Sequence, residues 1–491
     1  MNAERPFPSE LWQQIPAAVQ DYIHALDARM TALEAAVQRL EATVQHLTER
    51  LPQDSRTSSR PPSSDPPQAT TKRPRRDPSG RRAGGQPGHE GQARALGPVE
   101  EVDVVISVKP ERCRRCHYPL QGEDAQPARH QVTEIPPIKP VVTAYQLHQL
   151  CCPACGAATW GELPVGVSSG AFGPRVQALT ALCTGAYHVS KRTTQSVLED
   201  LFGLPMSLGT LANLEPATVQ AWAAPVAGAQ AYVQGQPTAY LDETGWREGR
   251  QRAWLWTAVT AGVTVFVVRL SRRRKVAQEL LGERFWGYLV TDRWSAYSWY
   301  PSWRRQVGWA HLLRDIEAMG ERDGRSRAIG EALRAQARHM FHWWPRVRDG
   351  TRSHASFASY MRPSRREGER LLEAGQTCGV PKTEGTCRDL LKRRQALWTF
   401  VRHEGVEPTN NAAERAIRPG VLWRKGSFGT QSPEGSRFVE TMMTVVATLE
   451  QQHRHVLTSV TAACEAALRG ETAPALLPTP VATEELLCPA A

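Results

Sequence analysis

No apolar run in this chain approaches the 20 or so residues a helix needs to cross a bilayer, and its opening stretch, MNAERPFPSE, is too polar for a secretory leader. Cysteine is sparse, ten in 491 residues, well below the density of a disulfide-stapled secreted domain. Five of the ten fall between Cys113 and Cys155, a clustering that points to metal in a reducing cytosol. A surplus of acid is missing too: Lys and Arg outnumber Asp and Glu by 60 to 49, for a net charge of +11 and a pI near 9.3. That balance favours a polyanionic partner, because cationic side chains release condensed counterions when they meet phosphates. A merely basic soluble protein is the plainer alternative. With 41% hydrophobic residues there is material for real cores, and the length corresponds to roughly three domains.

What is present begins with a heptad run. Ile23, Leu26, Met30, Leu33, Val37, Leu40, Val44, Leu47 and Leu51 alternate in steps of three and four. Leu fills every d position, a pattern that favours two parallel strands. Residues 15–51 are therefore expected to form a coiled-coil dimerisation helix, the alternative being one amphipathic helix packed on its own domain. Periodicity then stops. Residues 52–98 are rich in Pro, Ser, Gly and Arg and read as a disordered basic linker. Its cationic clusters at 72–76 and 81–82 suit phosphates or a solvated tether equally.

Residues 99–165 carry Cys113-x-x-Cys116 and Cys152-x-x-Cys155, with 35 residues between the pairs. Two such knuckles can close one tetrahedral thiolate site on structural zinc, stapling a small β module whose strands are expected in TEIPPIKPVVTAYQLHQL. Cys151, His117 and His148 are weaker competing ligands, and unpaired core cysteines are the plainer reading. Over 170–228 the spacing predicts short helices, with Ser207 a plausible N-cap and Gly203 and Pro205 in a turn. That suits a helix-turn-helix on DNA, although helical hairpins are common in any globular protein.

The richest stretch is 233–470. TAYLDET, RAWLWTAVT and TVFVVRLS read as three antiparallel strands, with GWREGRQ as a hairpin loop. A helix follows at RKVAQELLGERF, then strands GYLVTD and RQVGWA. This is the ribonuclease-H-like order, and a right-handed crossover lays the fourth strand against the first. Asp242 and Asp292, 50 positions apart, would then end neighbouring buried strands. A carboxylate there is costly unless a cation meets it, though any single Asp of this kind usually just caps a turn. Glu414 lies 122 residues after Asp292, beyond a basic helical insertion at about 325–405. It falls in the first turn of a helix that Asn410 and Asn411 could cap, with Arg415, Arg418, Arg424 and Lys425 close by. Three carboxylates suit a pair of magnesium ions for phosphoryl transfer, Asp242 bridging and Asp292 and Glu414 each holding one ion.

These residues resemble the insertion-sequence-66 type of bacterial transposase, a branch of the DDE transposases, over nearly the whole chain. The likeness takes in the zipper, Gly-Gly-Gln-Pro-Gly-His at 84–89 and the paired CxxC module around Ile135-Pro136-Pro137. It continues through Asp242-Glu243-Thr244-Gly245-Trp246, Asp292 with Tyr297, Trp309-Ala310-His311-Leu312, and Asn410-Asn411-x-x-Glu414-Arg415-x-x-Arg418-Pro419 with Arg424-Lys425. The resemblance implies a multidomain α+β and α/β protein: coiled coil, zinc-binding module, helix-turn-helix, ribonuclease-H-like core with helical insertion, and a tail at 471–491. It implies Asp242, Asp292 and Glu414 as catalytic triad on magnesium or manganese, zinc on Cys113, Cys116, Cys152 and Cys155, and His311, Arg415, Arg418, Arg424 and Lys425 as DNA contacts. Double-stranded DNA (element ends and target) and a second copy of the chain are the expected partners, with room for accessory proteins of the same element. A cytoplasmic, nucleoid-associated enzyme without membrane contact is the expected setting. The rivals are a catalytically inactive DNA-binding regulator and a nuclease that cuts without joining.

Overall fold

The computed structural model describes residue 12 and residues 14–50 and 95–479 of the chain. The linker's cationic clusters and the 84–89 segment lie outside them. Helix α1 (Ala17–Arg50) is one 34-residue rod. Its seam residues Leu26, Met30, Leu33, Val37 and Leu40 are exposed.

From 95 to 165 no residue is buried. The strands here are only β1 (Gln149–Cys151) and β2 (Ala158–Trp160), paired antiparallel. The expected β module is thus reduced to a hairpin. Pro136, Pro137 and Pro140 offer no N–H to a ladder, so the alternating stretch around them stays out of any sheet.

Three helices follow, α2 (Pro174–Gly185), α3 (Lys191–Phe202) and α4 (Leu208–Gln234). Ser190 and Ser207 cap α3 and α4 by accepting from the Thr193 and Thr210 amides, and Gly203 ends α3 in the left-handed region at φ 62°. Leu198, Met206 and Leu211 make a small core where α3 meets the start of α4. The expected boundary near 228 is absent. Helix α4 continues to Gln234, and its Trp222, Ala229 and Val233 pack into the main core with the sheet, so this helical region is built into the body that carries the strands.

The sheet has the order β5-β4-β3-β6-β7, made of β3 (Thr238–Glu248), β4 (Gln251–Val259), β5 (Thr264–Arg269), β6 (Tyr288–Thr291) and β7 (Arg305–Val307). The first three are antiparallel; β6 runs parallel to β3 and β7 parallel to β6. Helix α5 (Arg274–Leu281) makes the crossover, its Val276, Ala277, Leu280 and Leu281 buried. One expectation fails in detail. The segment GWREGRQ is mostly strand, because Trp246 is buried in a separate core with Leu255, Ile417, Val439 and Met443 on the opposite face from Leu241, and the turn is only Gly249 and Arg250, with Gly249 at φ 57°. Asp242 therefore sits in mid-strand rather than at a strand tip.

Helix α6 (Trp309–Gly320) leads into the insertion, α7 (Arg325–Arg348), α8 (His354–Gly375) and α9 (Pro381–Lys392), followed by short helices at Arg394–Leu397 and Thr399–Arg402. A second core forms here, where the rings of Trp344, Phe357 and Phe400 meet in tilted and edge-on contacts and Val290 and Val307 of the sheet join. The chain returns through α10 (Asn411–Ser427), α11 (Pro433–Gln451) and α12 (Val456–Arg469).

Helix α11 seals the sheet edge. The amides of Thr264, Phe266 and Val268 donate to the side chains of Thr448, Thr444 and Glu440 at 3.1, 3.0 and 2.7 Å. Two residues of strand advance about 6.6 Å and four of helix about 6 Å, so the two repeats stay in step and an edge open to pairing is closed. The expected loose tail is fastened at least as far as Leu476, which is fully buried and whose carbonyl accepts from Gln452.

Candidate active site

Strand register brings the two aspartates together. Tyr240 pairs with Val290, the last pair between these parallel strands, so Asp242 on β3 and Asp292, just past the end of β6, follow it on neighbouring segments. Strand β6 stops at Thr291 while β3 runs on to Glu248, and the cleft opens where this pairing ends. There Asn410 Nδ2 donates to the Leu241 carbonyl at 2.8 Å. Asn410 occupies the N-cap position of α10 without capping it; its amide instead ties the start of the helix to β3, one residue from Asp242. Glu414, in the first turn of α10, is thereby delivered to the two aspartates. Gly420 lets the helix lie this close, since a Cβ there would meet Leu255 Cδ2 at 2.3 Å.

The electrostatics of this floor are unfavourable for an uncompensated chain. Asp242 is held well above the ordinary carboxylate range, first by burial and then by the charges of Glu243, Asp292 and Glu414. Its Oδ1 accepts from the Glu243 amide at 2.9 Å, and Asp292 Oδ1 accepts from the Trp294 amide at 2.8 Å. Among the described residues no Lys, Arg or His pairs with either carboxylate. Glu414 is lowered, chiefly by the His311 ring against the opposing effect of burial. His311 Nε2 stands 3.3 Å from Glu414 Oε1, close enough for an ion pair but outside hydrogen-bond alignment.

Residues that sequence reading passed over complete the site. Successive strand residues face opposite sides, so Glu243 turns away from the side of Asp242 and is buried. It is pushed up to about 7 by burial and by Asp292, against the pull of Tyr297 and Arg272. Arg272 holds Glu243 Oε1 through Nε at 2.9 Å and Nη2 at 2.8 Å, and the Tyr297 hydroxyl donates to Oε2. On the far side of β6, Arg305 is buried, pulled down to about 10 by that burial, and donates to Thr291 Oγ1 and the Asp292 carbonyl. A charged residue next to Asp242 in an alternating strand was the available signal for Glu243. Arg272 and Arg305 gave none, since only the crossover and β7 bring them here.

All eight residues expected at a nucleic-acid active site, Asp242, Asp292, Glu414, His311, Arg415, Arg418, Arg424 and Lys425, line one cleft of about 1390 Å³. Its opposite wall comes from the insertion, with Lys382, Thr386, Asp389 and Arg393. Arg424 also braces β3 by donating to the Gly245 carbonyl at 2.8 Å. Ten Lys and Arg line the cleft against five Asp and Glu, so the acidic floor sits within a cationic rim, a distribution that attracts a polyanion while leaving a pocket for cations at its base.

The Transposase IS66 family model matches residues 169–437. The chain belongs to that family. The match covers the helical region, the sheet, the insertion and α10, and so contains every one of the eight cleft residues. A second model, a family of unknown function, matches residues 8–95. An uncharacterized protein of Sinorhizobium fredii, y4qI, is 30% identical over 192 residues, which is 35% of this chain and 34% of that protein. The chain thus matches about a third of the length of this curated relative.

The cysteines of this IS66-family chain stand differently. Backbone amides following Cys113 and Cys152 lower both thiols, the Cys116 and Cys155 amides most, so each turn is shaped to hold thiolate. Yet among the described residues no three His, Cys, Asp or Glu side chains gather as closely as one metal ion would hold them. The expected four-cysteine cluster is therefore not assembled, and with no buried residue between 95 and 165 there is no hydrophobic core to set the two turns against each other. The same holds of the cleft carboxylates: Asp242, Asp292 and Glu414 line one cleft without gathering around a single point.

Proposed function

We propose that this chain is a DDE transposase that binds the terminal inverted repeats of its element, frees their 3′ hydroxyls and joins them to target DNA. The strand order supports reading the sheet as a ribonuclease-H-like core. One observation carries the proposal: Asp242, Asp292 and Glu414, far apart in sequence, share the floor of a cleft rimmed by cations. A regulator has no use for carboxylates held in a like-charged cluster, because such an arrangement destabilises the fold unless cations enter it.

The donor set fits divalent metal. Asp242 and Asp292 lack cationic partners among the described residues, and Asp242 is held above its ordinary range by neighbours of like charge. Asp242, Asp292 and Glu414 are the residues that would hold the ions. Magnesium or manganese bound there would supply Lewis-acid charge to the attacking and leaving oxygens of an in-line displacement. The protein's own work is positioning. Asn410 ties α10 to β3 and Gly420 lets it pack on β4, His311 orients Glu414, and Arg415, Arg418, Arg424 and Lys425 grip phosphates along the rim. The α2–α4 region supplies sequence-reading contacts, and the α1 seam pairs two copies.

The test uses linear DNA ends from the element's flanks with a supercoiled target plasmid and magnesium. Joined product is expected from the wild type and none from Asp242→Asn, which keeps end binding. Cleavage without joining would make the protein a nuclease, and wild-type levels of joining by Asp242→Asn would refute the assignment.

A further inference from the structure

Beside the acidic floor the cleft carries an aromatic surface that the carboxylate chemistry does not use. Trp294 follows Asp292 by two residues and keeps 39% of its surface exposed while lining the cleft. Its amide donates to Asp292 Oδ1 at 2.8 Å, so its backbone is locked to the aspartate. The Arg272 guanidinium lies over the indole, 4.1 Å from the ring centroid. Arg272 is in turn anchored from below by two bonds to buried Glu243, whose second oxygen is held by Tyr297. A solvent-facing Trp is normally free to change rotamer. Here the chain Glu243–Arg272–Trp294–Asp292 fixes it.

We propose that Trp294, backed by Arg272, is a stacking platform for an unpaired nucleobase next to the phosphate being attacked. The inference rests on the strand-transfer reading and adds a specificity element to it. A nucleotide whose phosphate sits at Asp292 carries its base within one residue's reach of Trp294. Bases in a duplex present only edges, so an indole face can be used only by a base that has left the stack. The platform therefore selects DNA whose terminal nucleotides unpair readily. Trp294 is a positioning residue on this view, and Glu243 and Arg272 act through it.

Two measurements on the full-length protein test this. In joining assays Trp294→Ala is expected to lose roughly 10- to 100-fold on fully paired ends, the range of one base–aromatic stack, while Trp294→Phe keeps most activity. Ends synthesised with mismatched terminal nucleotides should restore Trp294→Ala to near the wild-type rate, which a merely structural role for Trp294 would not allow. In the Asp242→Asn background, 2-aminopurine at the terminal positions should report an emission that changes by about twofold or more when Trp294→Ala is added, with inner positions unaffected. Unchanged joining by Trp294→Ala, a loss that mismatched ends fail to rescue, or identical emission overturns the platform alone. Full joining by Asp242→Asn overturns the strand-transfer reading instead, and failure to bind ends at all overturns both.

Discussion

Replacing Asp242 by Asn should stabilise the metal-free protein while abolishing its chemistry. In the wild type the Asp242 carboxylate is raised by burial and by three acidic neighbours, with no cation paired to it among the described residues. Any two carboxylates about 5–6 Å apart repel by roughly 3 kcal/mol at an effective dielectric of 20. Linkage sets a ceiling: the cost at pH 7 cannot exceed that of protonating a group of ordinary pKa 3.8, about 4 kcal/mol at 1.36 kcal/mol per pH unit. Asn keeps the shape and the acceptor for the Glu243 amide, so a gain of about 1–4 kcal/mol is expected. That is several degrees in thermal midpoint for a domain of this size, at about 2–4 °C per kcal/mol. The sign with pH follows from the raised acids. Asp242 and Glu243, the latter pushed up to about 7, bind protons more tightly folded than unfolded. The metal-free wild type should therefore lose stability as pH rises from about 4 through 7, and the gap to Asp242→Asn should close below about pH 4. Millimolar magnesium or manganese should raise the wild-type midpoint and leave the variant's unmoved. Scanning calorimetry across pH with and without metal reads all of this. A variant less stable than the metal-free wild type at pH 7, or a gap independent of pH, would refute the reasoning.

Gly420→Ala should drive α10 off β4, because its Cβ would meet Leu255 at 2.3 Å; a stability loss of about 1–3 kcal/mol and a more than tenfold loss of joining are expected, with Gly426→Ala as a harmless control. Thr444→Val leaves the Phe266 amide without the partner it has at 3.0 Å and should cost about 1–3 kcal/mol in chemical denaturation, without changing the metal response. His311→Ala should raise the metal concentration needed for half-maximal joining, since Glu414 loses the ring that holds it below its ordinary pKa; an unchanged metal requirement would show that His311 acts elsewhere. Leu33→Glu in the exposed seam of α1 should convert a dimer to monomer in sedimentation while leaving the fold of the sheet intact.

Much of the core was readable from local pattern. The order of strands and the crossover followed from apolar runs and turn residues, and Ser207 was recognisable as a cap from its place before a helical stretch. Boundaries were less readable where a tertiary partner decided them. Strand β3 continued through Gly-Trp-Arg-Glu because Trp246 had a core to enter, and α4 ran through Pro216 and Pro225 because its far end packs on the sheet. In the opposite direction, the stretch TEIPPIKPVVTAYQLHQL alternated like a strand, but among the described residues only Gln149 and Leu150 at its end entered a sheet.

By itself the sequence determined which side chains are available to a site: two aspartates after apolar runs, one glutamate at a helix start, and a surplus of Arg and Lys, since composition and periodicity are properties of the chain. Only tertiary structure decided that Asp242 and Asp292 line one cleft, because the pairing of β3 with β6 is a relation between segments 50 residues apart in sequence. It alone decided that Asn410 abandons its cap to bind Leu241, and that Glu243 needs Arg272 and Tyr297. A buried polar group is satisfied by whatever neighbour the fold provides, and the fold brings those neighbours from anywhere in the chain.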